Sequence, residues 1–303
     1  MSLFDIILVQ PIFNVLVLIY GIVPGHDFGL SLILFTILVR LVMWPLVKKQ
    51  LNQTKVMRSL QPELAKIKAK TKGNKQLESQ LMLELYKEKG VNPFGSIGLL
   101  VVQLPIFISL FAVVRLITEN AANITKYTYN PLEQLPAVHN AINGDFSVSF
   151  FGLIDLTKHA IEPGSGVIYW PLLIMAVIAA AMQFVQSKQL LPQPSEKKRL
   201  RDLLKEQASG KDIDQAEMSA LVTNKMVWLF PILTFMVSIY MAGALVLYLL
   251  ITSAVAVAQQ YWVLKKDESE LEKMSEKTKK RAETAQNAQV VALKKGAKKK
   301  RRK

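Results

Sequence analysis

Long apolar stretches alternate with charged ones along this chain. Residues 28–47 hold one charge, Arg40, and residues 90–114, 163–187 and 226–264 hold none. A hydrocarbon core of about 30 Å takes about 20 apolar residues as helix, so the first three stretches suit one crossing each and the last suits two. Met241-Ala242-Gly243-Ala244 near the middle of the last stretch reads as the turn of a helical hairpin. The pattern predicts five spans, over 26–47, 93–118, 167–188, 225–242 and 243–264. A further apolar run, 4–23, contains Pro11, and Gln10, Asn14 and Gly21 fall within about 40° of one another on a helical wheel. No Lys or Arg precedes it, so residues 1–25 are expected to form an interfacial helix on the outer surface rather than a crossing.

The charged segments have patterns of their own. In 48–92, Leu60, Leu64 and Ile67 repeat at helical spacing, as do Leu77, Leu81 and Leu85, with Thr71-Lys72-Gly73-Asn74 as the turn between them. Two antiparallel amphipathic helices are the expected result. Residues 119–166 form a loop between spans. The loop 189–224 carries a helical stretch around 195–207, and Asp214-Gln215-Ala216-Glu217 fits a capping box leading into the fourth span. Residues 265–303 are a charged tail.

Composition adds direction to this pattern. The 303 residues carry 38 Lys plus Arg against 23 Asp plus Glu, a formal +15, with 51% hydrophobic residues and no Cys. Disulfides, thiolate metal sites, cysteine catalysis and cysteine lipidation are thereby excluded. The charge excess is one-sided: 48–89, 188–225 and 265–303 carry net +7, +2 and +9, while 119–166 carries −3. By the excess of cations in cytoplasmic loops, the hairpin, the second loop and the tail belong inside, 119–166 outside, the N-terminus outside and the C-terminus inside. No transit peptide is recognisable, so a bacterial plasma membrane is the expected location.

Arg40 is the sharpest chemical signal. It lies eight residues before Lys48, about 12 Å along the helix from the next cation. An arginine at such depth costs about 2.5–3.5 kcal/mol. None of the four apolar stretches contains Asp, Glu or His, so no carboxylate relay for proton coupling exists there. Arg40 therefore calls for a water-filled cavity or for an acidic group brought by a substrate. Thr36 stands one turn before it, Gln183 and Gln186 share one face of the third span, Thr234 and Ser238 one face of the fourth, and Gln103, Thr252 and Ser253 add further polar groups. His26, His139 and His159 lack metal-ligand spacing, and no nucleophile elbow, phosphate loop or dinucleotide fingerprint occurs. Neither an enzyme nor a cofactor is expected. A solute channel or transporter, and a folding or ribosome-docking factor in which Arg40 is structural, stand as alternatives.

The ordered motifs resemble the YidC/Oxa/Alb family of membrane protein insertases from about Gln10-Pro11-Ile12-Phe13 to Tyr261. The most specific are Val39-Arg40 with Trp44-Pro45-Leu46, then Leu60-Gln61-Pro62-Glu63-Leu64, Leu85-Tyr86-Lys87 and Val91-Asn92-Pro93-Phe94-Gly95. Gln103-Leu104-Pro105-Ile106-Phe107, Phe151-Gly152-Leu153, Leu245-Val246-Leu247-Tyr248 and Gln259-Gln260 continue in the family's order. The chain departs from the family in lacking a proline at Met241-Ala242-Gly243 and a second aromatic at Leu249.

This resemblance implies an all-α integral membrane protein: five transmembrane helices, an amphipathic outer-surface helix and a cytoplasmic helical hairpin. It implies an insertase that moves nascent membrane proteins through a hydrophilic groove and does no covalent chemistry. Arg40, Thr36, Gln103, Gln183, Gln186 and Tyr248 are the expected groove contacts, and Gln61, Pro62, Glu63 and Leu64 mark the hairpin. The expected partners are nascent chains, membrane lipids and a Sec-type translocase. The ribosome is expected at Lys294, Lys295, Lys298, Lys299, Lys300, Arg301, Arg302 and Lys303, because a run of cations binds polyphosphate by counterion release.

Overall fold

The computed structural model describes residues 2–71, 74–90, 97–119, 121–140, 146–190 and 215–263. These residues are mostly helical. In chain order the helices are α1 (Asp5–Ile22, its first turn Asp5–Val9 π-helical), α2 (Phe28–Val42), α3 (Trp44–Ser59), α4 (Gln61–Thr71), α5 (Lys75–Glu88) and α6 (Ile97–Glu119). After the short helices α7 (Ala121–Tyr127), α8 (Asn130–Glu133) and α9 (Pro136–Asn140) come β1 (Ser149–Phe150) and β2 (Ile154–Asp155), then α10 (Trp170–Leu190), α11 (Gln215–Ser238) and α12 (Gly243–Val263). The chain divides into two units, Met1–Ala258 and Gln259–Lys303. Lys72-Gly73 of the hairpin turn, Val91-Asn92-Pro93-Phe94-Gly95, most of the 189–224 loop with Asp214, and the whole basic run Lys294 to Lys303 lie outside the described residues.

Among the described residues three helices are long and apolar enough to cross a membrane: α1, α10 and α12. A fourth is added if α2 and the helical run Trp44–Thr71, bent by 60° at their junction, count as one broken span. The apolar parts of α6 and α11, Val102–Ile117 and Val227–Ser238, are shorter. A helical membrane protein is what the sequence pattern expects, but length and composition alone do not single out the same five helices. They admit α1, the helix expected to lie on the surface.

The polar stripe of α1 is used for packing. Asn14 is buried, donates from Nδ2 to the carbonyls of Gln10 and Tyr127 (both 2.7 Å) and accepts from Tyr129 N at 2.7 Å. One amide side chain thus fastens the α7–α8 junction across α1. Further along α1, Tyr20 stacks on Phe146 at 4.6 Å between centroids, and Gly21 lies close to Leu135 and Val138. Phe13, Leu16 and Val17 of α1 join Phe28, Leu32 and Phe35 of α2, Leu110 and Val113 of α6, and Leu245 and Tyr248 of α12 in one buried core.

The segment 146–170 gathers the ends of the long helices, a role the loop's sequence does not announce. Asp27 accepts from Leu30 N (2.7 Å) as the N-cap of α2, and its other carboxylate oxygen accepts from Phe151 N at the β1–β2 turn. Gly29 is needed at this contact, because a Cβ there would meet Phe150 Cβ at 2.6 Å. The same segment bonds to the α11–α12 turn: Ile161 N to Ile239 O (2.9 Å), Gly243 N to Lys158 O (2.8 Å) and Ala244 N to Leu156 O (2.9 Å). Tyr169 N, just before α10, returns to Ala160 O at 2.9 Å. The starts of α2, α10 and α12 and the end of α11 are therefore joined by one short stretch of backbone.

On the charged side, α4 packs against α5 as the repeat of leucines expects. Leu60 and Leu85 are buried, but Leu77 is 43% exposed, so the second stripe is only partly covered. Asn74 caps α5 by accepting from Leu77 N at 3.2 Å, and Gly90, with φ 63°, stands just beyond its end. Burial in this hairpin pushes the Tyr86 phenol up from its ordinary value.

Candidate functional site

The last turn of α2 carries Arg40, 4% exposed, and one turn earlier Thr36, 1% exposed. The two share a face by their i, i+4 spacing. Thr36 Oγ1 donates to Leu32 O at 2.7 Å, a local bond that uses its proton and leaves its lone pairs to accept. Opposite them, α12 buries Tyr248, which is within electrostatic reach of the Arg40 guanidinium. From α6, Gln103 Nε2 donates to Tyr248 Oη. Phe107, one turn after Gln103, lies against the Tyr248 ring at 6.2 Å between centroids, and Thr252 is buried one turn after Tyr248. Three helices distant in sequence thus bring a cation, a phenol, an amide and hydroxyls together inside otherwise apolar surroundings.

Not all of the expected groove residues belong to this cluster. Gln183 of α10 accepts from Ser253 Oγ at 3.2 Å. Ser253 lies five residues beyond Tyr248, about 140° further round α12. Gln186, half-buried, follows Gln183 on α10. The polar residues therefore fall into two groups on different faces of α12, one around Arg40 and one joining α10 to α12. At the hairpin, Pro62 is exposed at the start of α4, Leu64 is half-buried, and Glu63 pairs with Lys89 Nζ at 3.8 Å; Gln61 is the first residue of α4.

The chemistry open to the Arg40 cluster is electrostatic. A guanidinium is always charged, with five donors and no acceptor, and Tyr, Gln and Thr supply neutral partners without cancelling that charge. In a low-dielectric setting such a charge attracts a carboxylate far more strongly than in water. Among the described residues no group of three or more His, Asp or Glu is placed to hold a metal ion. Arg40, Thr36 and Tyr248 are covered, and Gln103, half-buried, is the member nearest to being open. The Gln103–Tyr248 bond thus joins α6 to α12 beside the cation.

Two parts of this arrangement escape a reading of the sequence. Phe107 follows Gln103 at i+4, a spacing that marks it as a neighbour on the same face. Asp27 at the other end of α2 has no such signal, since its partner Phe151 is 124 residues away.

The profile of the family described as "60Kd inner membrane protein" matches residues 18–271 of this chain. The membrane protein insertase YidC of Fusobacterium nucleatum subsp. nucleatum is 31% identical over 240 residues, covering 79% of this chain and 87% of that one. The YidC proteins of Tolumonas auensis and Streptomyces avermitilis are 43% and 39% identical over 102 and 97 residues, which is 18% and 23% of their own lengths. A crystal structure of an active YidC insertase with its first transmembrane domain resolved superposes with a TM-score of 0.46 at 22% identity. It covers 86% of this chain and 47% of that one, a likeness too weak to bear on fold or mechanism.

The Gln103–Tyr248 bond is open to a double-mutant cycle with Gln103→Leu and Tyr248→Phe, read by thermal unfolding of the purified protein in detergent. A coupling of about 0.5–1.5 kcal/mol is expected. Strict additivity would show that the two side chains do not meet.

Proposed function

This chain belongs to the 60Kd inner membrane protein family, and from that premise we propose that it is a membrane protein insertase in which Arg40 receives the polar segment of a nascent membrane protein. The single observation that carries this reading is the burial of Arg40, 4% exposed in the last turn of an apolar helix, together with Thr36, Tyr248 and Gln103. A polar site at that depth shortens the apolar path for a hydrophilic segment. The fixed cation favours segments that carry acids. Once the polar segment has passed, the hydrophobic helix that follows it leaves sideways into lipid. No bond is made or broken.

In this reading α2, α6, α10, α11 and α12 are the five spans. Two observations support it. The starts of α2, α10 and α12 and the end of α11 are joined by one segment, as an antiparallel arrangement requires. Second, α1 is close to the α7–α9 segment near both of its ends: Asp5 is within electrostatic reach of Lys126, and a Cβ on Gly21 would stand 3.7 Å from Val138. An 18-residue helix is about 27 Å long, so a crossing α1 would carry one end to the opposite membrane face from that segment. Such packing favours α1 lying on the outer surface, with the N-terminus outside.

The cation-rich segments then face the cytoplasm of a bacterial cell, and the run Lys294 to Lys303 docks on ribosomal RNA. A Sec-type translocase is a further partner of the same reading. A version lacking residues 290–303 is expected to lose salt-sensitive co-sedimentation with ribosomes; retention equal to the intact chain would reject the docking role. In proteoliposomes, Arg40→Ala is expected to lower insertion of substrates with acidic outer segments roughly tenfold, the equivalent of about 1.4 kcal/mol, with Arg40→Lys close to the parent. Equal insertion by Arg40→Ala across several substrates, or solute flux without any nascent chain, would overturn the assignment.

A further inference from the structure

A pocket of about 460 Å³ opens between α3 and the end of α5. One wall is a single face of α3, Pro45, Lys48, Lys49, Asn52, Gln53 and Val56, and the other is Lys89 with Gly90 beyond the end of α5. The lining contains three ammonium groups and two amides and no carboxylate. Glu63 lies 3.8 Å from Lys89 Nζ, but both side chains are well exposed, so the pair screens little of the pocket's charge. Gly90 has no neighbour within 4 Å of a would-be Cβ, which leaves that side of the mouth open. The volume is within the usual range for a small-ligand site, and its chemistry is that of an anion receptor with an apolar edge.

The bend of the chain says which anion is at hand. The helical run from Trp44 is inclined by 60° to α2. With α2 along the membrane normal, α3 gains only about 0.75 Å of height per residue, half the helical rise. Lys48 to Gln53 therefore stand about 3–7 Å above the level of Trp44. The headgroup layer on each face of a bilayer is about 5–8 Å deep, so this wall stays within it.

We propose that this pocket binds the phosphodiester headgroup of an anionic phospholipid, with Lys48, Lys49 and Lys89 around the phosphate and Asn52 and Gln53 on its oxygens and glycerol. Pro45 and Val56 lie toward the acyl chains. This rests on α2 reaching the membrane surface at its C-terminal end and not on the insertase reading. A bound lipid at this point braces the root of the hairpin to the bilayer, since α3 and the end of α5 both contribute to its site.

The test uses the full-length protein in neutral detergent, offered dioleoyl-phosphatidylglycerol or dioleoyl-phosphatidylcholine and read by native mass spectrometry. Wild type is expected to retain phosphatidylglycerol in preference to phosphatidylcholine. The triple variant Lys48→Gln, Lys49→Gln and Lys89→Gln is expected to lose about tenfold or more of that affinity, since each basic group near a lipid surface contributes about fivefold. The charge-matched variant Lys66→Gln, Lys70→Gln and Lys87→Gln, altered at exposed hairpin lysines outside the lining, is expected to change it less than about twofold. An equal loss in both variants would mean diffuse attraction rather than a site. Displacement of the lipid by equimolar inorganic phosphate would assign the pocket to free phosphate instead, and absence of any preference for phosphatidylglycerol would remove the site altogether.

Discussion

A guanidinium near the end of an apolar helix has to find its surroundings inside the protein, because hydrocarbon offers neither charge nor hydrogen bonds. Around Arg40 stand polar residues: Thr36 one turn before it on α2, and Tyr248 of α12 within electrostatic reach, itself hydrogen-bonded by Gln103 of α6. The Gln103–Tyr248 bond joins α6 to α12 at this level, and Phe107 packed on the Tyr248 ring supplies apolar contact next to the polar one. The buried Phe28, Leu32 and Phe35 continue the same helix toward the opposite end. There a second polar group, Asp27, fastens α2 to the β1–β2 turn.

These two anchors divide the labour of the fold. The Asp27 end is hydrogen-bonded backbone, in which the 146–170 segment ties four helix ends together and Gly29 and Gly243 admit side chains at distances no Cβ would allow. The Arg40 end is built from side chains, few of them bonded to one another, and leads within four residues to a 60° bend and the α4–α5 hairpin. The basic pocket at Lys48, Lys49 and Lys89 lies beyond that bend, where a lipid headgroup would steady the hairpin without touching the Arg40 cluster.

Much of this was legible in the residues, for reasons that differ from place to place. Apolar runs of about 20 residues are set by bilayer thickness, so helices such as α10 and α12 declare themselves by composition alone. The α4–α5 pair follows from leucines at helical spacing, although Leu77 remains exposed. Arg40 stands out because it is a lone charge in an apolar stretch. The polar stripe of α1 was visible, but its use was not: Asn14 serves Tyr127 and Tyr129, more than a hundred residues away, and no local pattern encodes that pairing. Likewise Gln103 and Gln183 look alike as isolated amides in apolar helices, and only tertiary packing sends one to Tyr248 and the other to Ser253.

Contact between a nascent chain and the Arg40 cluster is the event on which the proposed function turns. A photo-crosslinking amino acid placed at Gln103 tests it directly, with Leu104 and Ile108 of the same helix as references, since these are 49% and 52% exposed and lie about 100° and 140° round the helix from Gln103. With a stalled ribosome–nascent membrane protein complex, the account predicts strong crosslinks from position 103 to the polar segment of the nascent chain and weak ones from 104 and 108. Crosslinks of equal strength at all three positions, or none at 103, would contradict it.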